Sequence, residues 1–189
     1  MIKTQEEQQK HLLFGEESER LYYVKVDERY NDEWMEFCAF PGSLDYIGLH
    51  EHETPEAKCQ AWFDRVNFRY DHFLGGMNAL IEKASGKLVG QCGLLIQEID
   101  GVTELEVGYS LMPDFRGKGF ALEAAQKCRD HAFEQDLAKS LISVIHVENP
   151  ASMKVARANG MEISKTTISK GDPVHIFRIT REAWLELKQ

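Results

Sequence analysis

A change in hydrophobic period between residues 102 and 132 constrains the fold more than any other feature of this sequence. From Leu105 to Leu111 every second residue is apolar or aromatic, which predicts a half-buried strand. Pro113 ends that strand, because proline has no N–H to donate to a neighbouring strand. From about Lys118 the apolar residues follow helical spacing, at Ala121, Ala124, Ala125, Cys128 and Ala132. A strand, a tight turn and a helix therefore follow one another directly.

The turn from Arg116 to Ala121 contains two glycines, Gly117 and Gly119. The first N–H groups of a helix have no internal partners and lie at the positive end of its dipole, so they bind anions. Glycine adds no side chain that would keep a phosphate away from the backbone. The pattern predicts an anion site, with a glycine-rich helix start that binds no ligand as the alternative.

Two better-known phosphate loops do not fit this turn. No Gly-Lys-Ser/Thr completes a Walker A loop, and residues 117–122 lack the third small residue of a dinucleotide-binding fingerprint. Neither an NTP-binding loop nor a Rossmann-type nucleotide site is therefore predicted here.

The rest of the chain alternates helix and strand signals without an internal repeat or a low-complexity linker. These signals predict strands at 21–26, 78–83, 88–96, 102–112 and 141–147 and helices at 31–40 and 55–70. Thr54 is expected to cap the second helix, and Gly75-Gly76 is interpreted as a break in the chain. We expect a single domain over residues 1–189, with residues 1–18 as a flexible or peripheral segment.

Charge argues against one class of partner. The formal net charge of −9 disfavours DNA or RNA, because nucleic-acid binding relies on Lys and Arg to neutralise phosphates. Residues 1–60 carry 14 acidic and 6 basic side chains, whereas residues 61–189 carry 17 and 16. This N-terminal excess of acid indicates either solvated helix faces or a lobe that attracts a cationic substrate.

Several other classes are also disfavoured. No apolar run approaches the roughly 20 residues that span a bilayer, and the opening segment lacks the apolar core of a signal peptide, so we expect a cytoplasmic protein without a membrane partner. The cysteines are too far apart for a redox or zinc motif. His50 and His52 lie in a predicted loop with no recognisable third ligand, so no metal is expected.

The glycine turn meets a known cofactor motif, Arg/Gln-x-x-Gly-x-Gly/Ala, at Arg116, Gly119 and Ala121. With its flanks, from Glu106 to Ala124, it resembles the GCN5-related N-acetyltransferase (GNAT) superfamily, and within it the RimJ- and RimL-like branch of ribosomal-protein N-terminal acetyltransferases. Motif and context agree, as a motif assignment requires.

Two segments further along extend the resemblance. Asn149-Pro150-Ala151-Ser152 is similar to that branch's Asn-x-x-Ser helix start, and Asn159-Gly160-Met161 to its Lys-x-Gly-Phe ending, with Asn159 and Met161 as departures. The resemblance covers about residues 19–180 in order of elements and is specific mainly over 104–161.

The resemblance implies an α+β fold with a mixed, mostly antiparallel sheet of six to seven strands, splayed at the cofactor site and covered by helices on both faces. It also implies that acetyl-CoA is the co-substrate. Its pyrophosphate would lie on the backbone of Gly117, Lys118, Gly119, Phe120 and Ala121. Its pantetheine arm would pair with Leu111 and Met112, with Asn149 and Ser152 on either side. Arg116, Lys118, Lys154 and Arg157 would form a basic rim.

Acetyl transfer to an amine needs a base, because an alkyl ammonium titrates near 10.4 and an α-amine near 7.7–8.0. Glu106 matches a strand glutamate that serves as base in parts of the superfamily. Glu104, on the same face of the strand, is the alternative, and a solvent-facing position for both is a third reading.

The leaving thiolate needs a proton, and many relatives supply it from a tyrosine seven residues after the helix-start asparagine. That position is Ala156 here, so Tyr109 or water is expected to serve. We expect direct attack, since neither Cys92 nor Cys128 lies in a nucleophile setting. His146 is interpreted as a strand histidine near the cleft.

The leading hypothesis is an acetyl-CoA-dependent N-acetyltransferase acting on a primary amine, either a protein N-terminus or a small cationic amine. The competing hypothesis is a non-catalytic acyl-CoA-binding module or sensor, which the missing tyrosine favours. A homodimer is left open.

Overall fold

A seven-stranded sheet forms the centre of the protein. The computed structural model describes residues 10–49 and 51–189. The sheet has the order β1-β2-β3-β4-β5-β7-β6. Its strands are β1 Leu21–Lys25, β2 Gly75–Glu82, β3 Leu88–Ile99, β4 Val102–Leu111, β5 Ser140–His146, β6 Glu162–Ser169 and β7 Asp172–Thr180. Only β4 and β5 are parallel neighbours. The predicted α+β fold with a mostly antiparallel sheet is confirmed.

Five α-helices are described: α1 Asn31–Ala39, α2 Pro55–Asp71, α3 Phe120–Glu134, α4 Pro150–Ala158 and α5 Arg181–Leu187. The predicted cap of α2 is present, since Thr54 Oγ1 accepts a hydrogen bond from Ala57 N at 3.2 Å. Asn149 caps α4 in the same way, with Ser152 N 3.0 Å from its Oδ1. Both caps could be anticipated because they depend only on residues close in sequence.

The sheet opens between β4 and β5. Their parallel register is carried by one pair, Glu106 opposite Ile142. By contrast, β4 is paired with β3 along its full length, and so is β5 with β7. The two central strands therefore separate beyond Glu106, which confirms the predicted splay.

Each face of the sheet carries its own apolar core. On one face α3, α4 and α5 pack against residues such as Val107, through Ala124, Ala156 and Trp184. On the other face α1 and α2 pack on Met77 and Ala79 and contribute the apolar residues Trp34, Phe37, Trp62, Phe63 and Val66. Helices thus cover both faces, as expected. The apolar side chains of β4, which are Leu105, Val107, Tyr109 and Leu111, all belong to the first core, and alternation turns Glu104, Glu106, Gly108 and Ser110 to the other face.

Gly75 and Gly76 do not break the chain, contrary to the sequence interpretation, but begin β2 and pair with Leu95 and Leu94. A Cβ at Gly75 would lie 2.1 Å from the Leu94 carbonyl oxygen, and one at Gly76 would lie 2.4 Å from the Tyr70 ring. The glycines are needed because β3 and Tyr70 approach the backbone closely. Local pattern could not reveal this, since both neighbours come from other elements.

The described part of the N-terminal segment, residues 10–18, lies against the sheet. Leu13 is fully buried, and its N–H donates to Asn78 Oδ1 at 2.9 Å. Asn78 in turn donates to the Cys92 carbonyl at 2.8 Å. Residues 1–9, on which the rest of the prediction for residues 1–18 falls, are outside the described part.

All four cysteines are buried free thiols. Among the helices of residues 10–49 and 51–189, none combines the length and apolar character that crossing a membrane requires.

Candidate functional site

A cleft of about 940 Å³ opens where β4 and β5 separate. It brings together nine of the twelve residues that the sequence assigned to the site: Glu106, Tyr109, Leu111, Arg116, Gly117, Gly119, Ala121, Asn149 and Ser152. Met112, Lys118 and Phe120 do not line it. Met112 and Phe120 are instead buried in the two cores, on opposite faces of the sheet.

The turn before α3 has the geometry of an anion site. Gly119 is the N-cap residue with φ of 85°, and no side chain caps the helix. Gly117 has φ of 73°, and a Cβ placed there would contact nothing within 4 Å. The first N–H groups of α3 therefore have no side-chain cap, and the surroundings of Gly117 are open, which is the geometry that an anion site requires.

Arg116 is an exposed residue whose guanidinium is held against the protein beside this turn. Its Nε donates to the Leu111 carbonyl at 3.1 Å and its Nη2 to Ser43 Oγ at 2.7 Å. The guanidinium also lies over the rings of Phe37 and Phe40. These contacts make Arg116 a brace for the turn as well as a cation at the cleft wall.

Of the other cations expected at the rim, Lys154 lines the cleft. Lys118 Nζ lies over the Phe115 ring, 5.4 Å from its centroid, and Arg157 lies over Phe177 at 5.4 Å. The expected basic rim is thus partly dispersed into cation–π contacts.

Leu111 and Met112, expected to pair with a pantetheine arm, each have a backbone bond within the protein. The Leu111 carbonyl accepts from Arg116, and the Met112 N–H donates to the Val89 carbonyl at 2.9 Å. Their pairing with a ligand stays a prediction.

A second brace, which sequence reasoning missed, joins the N-terminal segment to α3. Arg20 Nη1 donates to the Lys118 carbonyl at 3.0 Å, and Arg20 Nε donates to Glu123 Oε2 at 2.6 Å. Glu123 Oε1 accepts from Ser18 Oγ and from Arg20 N, both at 2.7 Å. The guanidinium also covers the Phe120 ring at 4.2 Å.

The electrostatics of Glu123 reflect this brace. Burial raises the pKa of Glu123, but the hydrogen bonds from Ser18 and Arg20 outweigh it, so the pKa is lower than usual. An acidic residue in the first turn of α3 was the only hint in the sequence, because it favours the helix dipole.

Glu106 is a buried carboxylate on the α2 side of β4. Its residue is 8% exposed, and it lies on the same strand face as Gly108, which approaches Leu95 and Met77. Oε2 accepts from Gln97 Nε2 at 2.8 Å and Oε1 from Val144 N at 3.4 Å.

Burial raises the pKa of Glu106. Four groups lower this pKa: the hydrogen bonds from Gln97 and from the Val144 N–H, and the charges of Lys170 and Arg69. The effect of burial is larger than theirs, so the pKa of Glu106 is above its usual value. Arg69 Nη2 donates to Gln97 Oε1 at 3.0 Å, so the Gln97 amide is oriented with its nitrogen toward Glu106.

Glu104 has a different environment. It is paired with Arg178, whose Nη1 lies 3.1 Å from its Oε2, and it does not line the cleft. The two carboxylates that the sequence placed on one face thus have different partners in the structure, and neither side chain simply points to solvent.

Tyr109 lies on the other face of β4, toward α4. Its hydroxyl donates to the Ser152 carbonyl at 2.9 Å, and burial raises its pKa. Asn149 and Ser152 both line the cleft, and Ala156 is buried. The hydroxyl of Tyr109 therefore contacts α4 one helical turn before Ala156, the position at which the family resemblance led us to expect a tyrosine.

The loop after α1 closes over the cleft. Tyr46 donates from its hydroxyl to the Glu148 carbonyl at 3.0 Å and packs against His146 with ring centroids 4.9 Å apart. From α2, Arg65 donates to the carbonyls of Ile47 and Gly48 at 3.3 and 3.1 Å. His146 is thus a packing residue at the cleft edge.

His50 and His52, for which the sequence predicted no metal, belong to the same stretch of chain. His50 is outside the described residues, and His52 lies 3.7 Å from Glu51. The part of the chain that the structure describes contains no group of three residues suited to hold a metal ion.

The fold and the site together resemble one class of protein. Residues 20–162 match the family model of the acetyltransferase (GNAT) domain. The chain therefore belongs to the GNAT acetyltransferase family, as its motif predicted.

Particular relatives support this. The chain is 34% identical over 96 residues to the uncharacterized protein YkkB of Bacillus subtilis, covering 51% of this chain and 56% of the relative. It is 28% identical over 142 residues to the uncharacterized N-acetyltransferase p20 of Bacillus licheniformis, covering 73% and 76%. An acetyltransferase from Agrobacterium tumefaciens superposes with a TM-score of 0.72 at 25% identity, over 87% and 92% of the two chains.

More distant structures share the fold alone. A spermidine N-acetyltransferase from Vibrio cholerae in complex with CoA and spermine has a TM-score of 0.68 at 15% identity, over 88% and 98% of the chains. RimL, a ribosomal L7/L12 alpha-N-protein acetyltransferase in complex with coenzyme A, has a TM-score of 0.67 at 16% identity, over 88% of this chain and 97% of that chain. At these identities neither acceptor carries over directly.

Proposed function

We propose that this protein transfers the acetyl group of acetyl-CoA to a primary amine. Family membership and the CoA complexes of proteins with the same fold support CoA as the donor. The uncapped start of α3 and the open surroundings of Gly117 fit a pyrophosphate. Bound there, acetyl-CoA would supply a thioester, an acyl group already activated for attack by an amine.

In this proposal the chain's other contributions to binding are positional. The N–H groups of residues 117–121 hold the pyrophosphate, and Asn149 and Ser152 lie on either side of the pantetheine arm. Arg116 and the Arg20–Glu123 brace hold the turn in place. Lys154 supplies positive charge for the anionic donor.

The observation that carries the proposal is the buried carboxylate of Glu106 at the point where β4 and β5 part. A carboxylate with a raised pKa is a stronger base than one in water, which suits removal of a proton from an ammonium group. Glu106 takes that proton, and the neutral amine attacks the thioester carbonyl. As the new C–N bond forms and the C–S bond breaks, the nitrogen loses its second proton, which balances the proton that the leaving thiolate takes up.

The thiolate that leaves takes up a proton, and Tyr109 is the proposed donor. Its hydroxyl lies at the α4 side of the cleft, across the strand from Glu106. Burial keeps this hydroxyl protonated, so it can donate a hydrogen bond to the thiolate, and its raised pKa makes it a weaker acid than an exposed tyrosine. Water is the alternative donor.

Two variants on one strand test the base. Glu106→Gln is expected to lower the rate of CoA thiol release by about 100-fold or more, within the usual range for a general base. Loss should be greatest below the pKa of the acceptor amine, where the base is needed. Affinity for CoA should not change, because Glu106 lies away from the α3 turn.

Glu104→Gln is the matched control, since it makes the same chemical change two residues away and outside the cleft. Its rate is expected to stay near that of the wild type. An unchanged rate and an unchanged pH profile for Glu106→Gln would remove Glu106 as the base.

A second candidate function is a non-catalytic acyl-CoA-binding module or sensor. Ala156 favours it, because it stands at the position where many relatives have a tyrosine. The same assay separates the two functions. Binding of acetyl-CoA without thiol release across peptides, polyamines, aminoglycosides and amino acids would favour the sensor.

A further inference from the structure

Three basic side chains line the cleft near Glu106. They are Arg69 and Lys170, whose charges act on Glu106, and Arg65, whose charge acts on Lys170. Arg65 and Arg69 come from successive turns of α2, and Lys170 comes from the turn between β6 and β7. Local sequence does not predict this cluster, because Lys170 is about a hundred residues from the two arginines.

The hydrogen bonds of the two arginines go to uncharged groups, and the acids that act on their charges are Glu51 for Arg65 and Glu106 for Arg69. Arg65 donates to the Ile47 and Gly48 carbonyls. Arg69 donates to the carbonyls of Leu74 and Ile96 and to the Gln97 amide. Carbonyl and amide oxygens satisfy N–H groups but carry no net charge.

Lys170 extends from the hairpin toward the loop over the cleft. A Cβ placed on Gly48 would lie 3.8 Å from Lys170 Cδ. Among the described residues its ammonium makes no ion pair, and burial together with Arg65 and Arg69 lowers its pKa. Glu106 and, at the rim, Glu51 are the acids that act on it.

Of the other acids that line the cleft, Glu98 is exposed, whereas Asp100 and Asp172 each have a partner. Asp100 is paired with Lys165 at 2.7 Å and accepts from Thr167 at 3.0 Å.

Arg69 and Lys170 act on Glu106, and Arg65 acts on Lys170. Glu106 is the buried carboxylate among these groups, whereas Glu51 and Glu98 are exposed, so positive charge is in excess in the buried part of the cleft.

This excess bears on the acceptor. An amine arrives as an ammonium ion, and three nearby cations repel it at short range in a partly buried cleft. An acceptor with a negative group of its own would offset that repulsion. The floor beside the cluster is apolar, formed by Trp62, Val66, Met77 and Leu95.

We propose, on the basis of the function proposed above, that the acceptor is a small amine that also carries a carboxylate, as an amino acid does. Its amine faces Glu106, its carboxylate faces Lys170 and Arg65, and its apolar part lies on the floor. This acceptor differs from the cationic amine that the N-terminal excess of acid suggested, because the acid of that lobe does not surround Glu106.

The test compares acceptors that differ only in the carboxylate. Leucine, methionine and phenylalanine are each assayed beside their amides and beside putrescine, with CoA thiol release as the readout. The acids are expected to exceed the amides in kcat/KM by about tenfold or more, the effect of a lost hydrogen bond between charged groups. Intrinsic reactivity favours the amides, because a neighbouring carboxylate makes an ammonium harder to deprotonate. A preference for the acids would therefore come from the protein.

Variants of Lys170 test whether the preference for a carboxylate comes from the cluster of Arg65, Arg69 and Lys170. Lys170→Gln is expected to raise KM for the amino acids about tenfold, with little change for the amides. Lys165→Gln, on the same hairpin but paired with Asp100 outside the cluster, is the control and should not change that ratio. Lys170→Glu should shift the preference toward putrescine.

Equal or better turnover of the amides or of putrescine by the wild type would overturn the inference. An equal loss on all acceptors in Lys170→Gln would also overturn it, since that is a structural effect. If no amine is acetylated, the proposed function fails, and calorimetry on the CoA-bound protein then decides the inference. Tighter binding of leucine than of leucinamide by about tenfold would support the anion site, and equal binding would refute it.

Discussion

Glu106 and Tyr109 lie three residues apart on β4 and project to opposite faces of the sheet, Glu106 toward Gln97 and Tyr109 toward Ser152. Because β4 and β5 separate beyond Glu106, the same opening is accessible from both faces. In the proposed reaction, the acceptor amine and the sulfur of the donor would meet in this opening, with the Glu106 carboxylate on one side of the sheet and the Tyr109 hydroxyl on the other.

The raised pKa of Glu106 predicts how its replacement changes stability with pH. Folding favours the protonated form of this carboxyl, so burying its charge costs stability once the pH rises above the usual value of 4.5 toward the folded pKa. Glu106→Gln removes this cost, and a Gln side chain retains an oxygen to accept from Gln97.

We therefore expect the Tm of Glu106→Gln to exceed that of the wild type increasingly as pH rises from 4 to 7. Thermal unfolding at several pH values measures this difference. A constant difference, or one that grows toward acid pH, would show that the carboxyl is not desolvated in the folded protein.

Two glycines with the same backbone test the anion site. Gly117 has φ of 73° and Gly86, in the turn between β2 and β3, has φ of 70°, and a Cβ at either would contact nothing within 4 Å. Changing each to alanine is expected to cost about 1 kcal/mol of unfolding free energy through left-handed strain. Only Gly117→Ala should weaken CoA binding, measured by calorimetry. Equal affinities of the two variants for CoA would argue against a ligand at this turn.

The Arg20–Glu123 brace predicts an effect on the donor. Glu123→Ala removes the acceptor of three hydrogen bonds and is expected to lower the free energy of unfolding by about 2–3 kcal/mol and to raise KM for acetyl-CoA, but not KM for the amine. Glu17→Ala is the control, because its ion pair with Lys83 is exposed and should contribute less than about 1 kcal/mol.

The brace also has a pH signature. Since the pKa of Glu123 is lowered in the folded state, its stabilisation is present above about pH 4.5 and is lost as the pH falls through the folded pKa. The stability gap between the wild type and Glu123→Ala should therefore narrow in acid. A gap that is independent of pH would mean that the charge of Glu123 contributes nothing.

Tyr109→Phe tests the proton donor. If the hydroxyl protonates the leaving thiolate, kcat should fall by about 100-fold. Tyr70→Phe is a control of the same chemistry, because the Tyr70 hydroxyl also donates to a backbone carbonyl, that of Met77, but lies outside this cleft. Both variants are expected to lose about 1 kcal/mol of stability from the missing hydrogen bond. A normal kcat in Tyr109→Phe would assign the proton to water.

Local sequence was sufficient where a contact joins near neighbours. The alternation along β4, the stop at Pro113 and the caps at Thr54 and Asn149 all involve residues within a few positions of one another, and all are present. The order of the strands and their splay were predicted from the family motif, because periodicity alone does not specify them.

Tertiary structure decided the features that depend on distant partners. Glu104 and Glu106 look alike in sequence, yet one meets Arg178 and the other Gln97 and Val144. The role of Gly75 depends on how closely β3 approaches, and that of Glu123 on Arg20, 103 residues earlier.

The sequence by itself therefore determined the class of protein and the glycine turn before α3, because both are encoded in a continuous segment. Only the folded chain determined which carboxylate is desolvated and which cations act on it. Burial and charge act through space, and Lys170 reaches Glu106 from a hairpin far away in sequence.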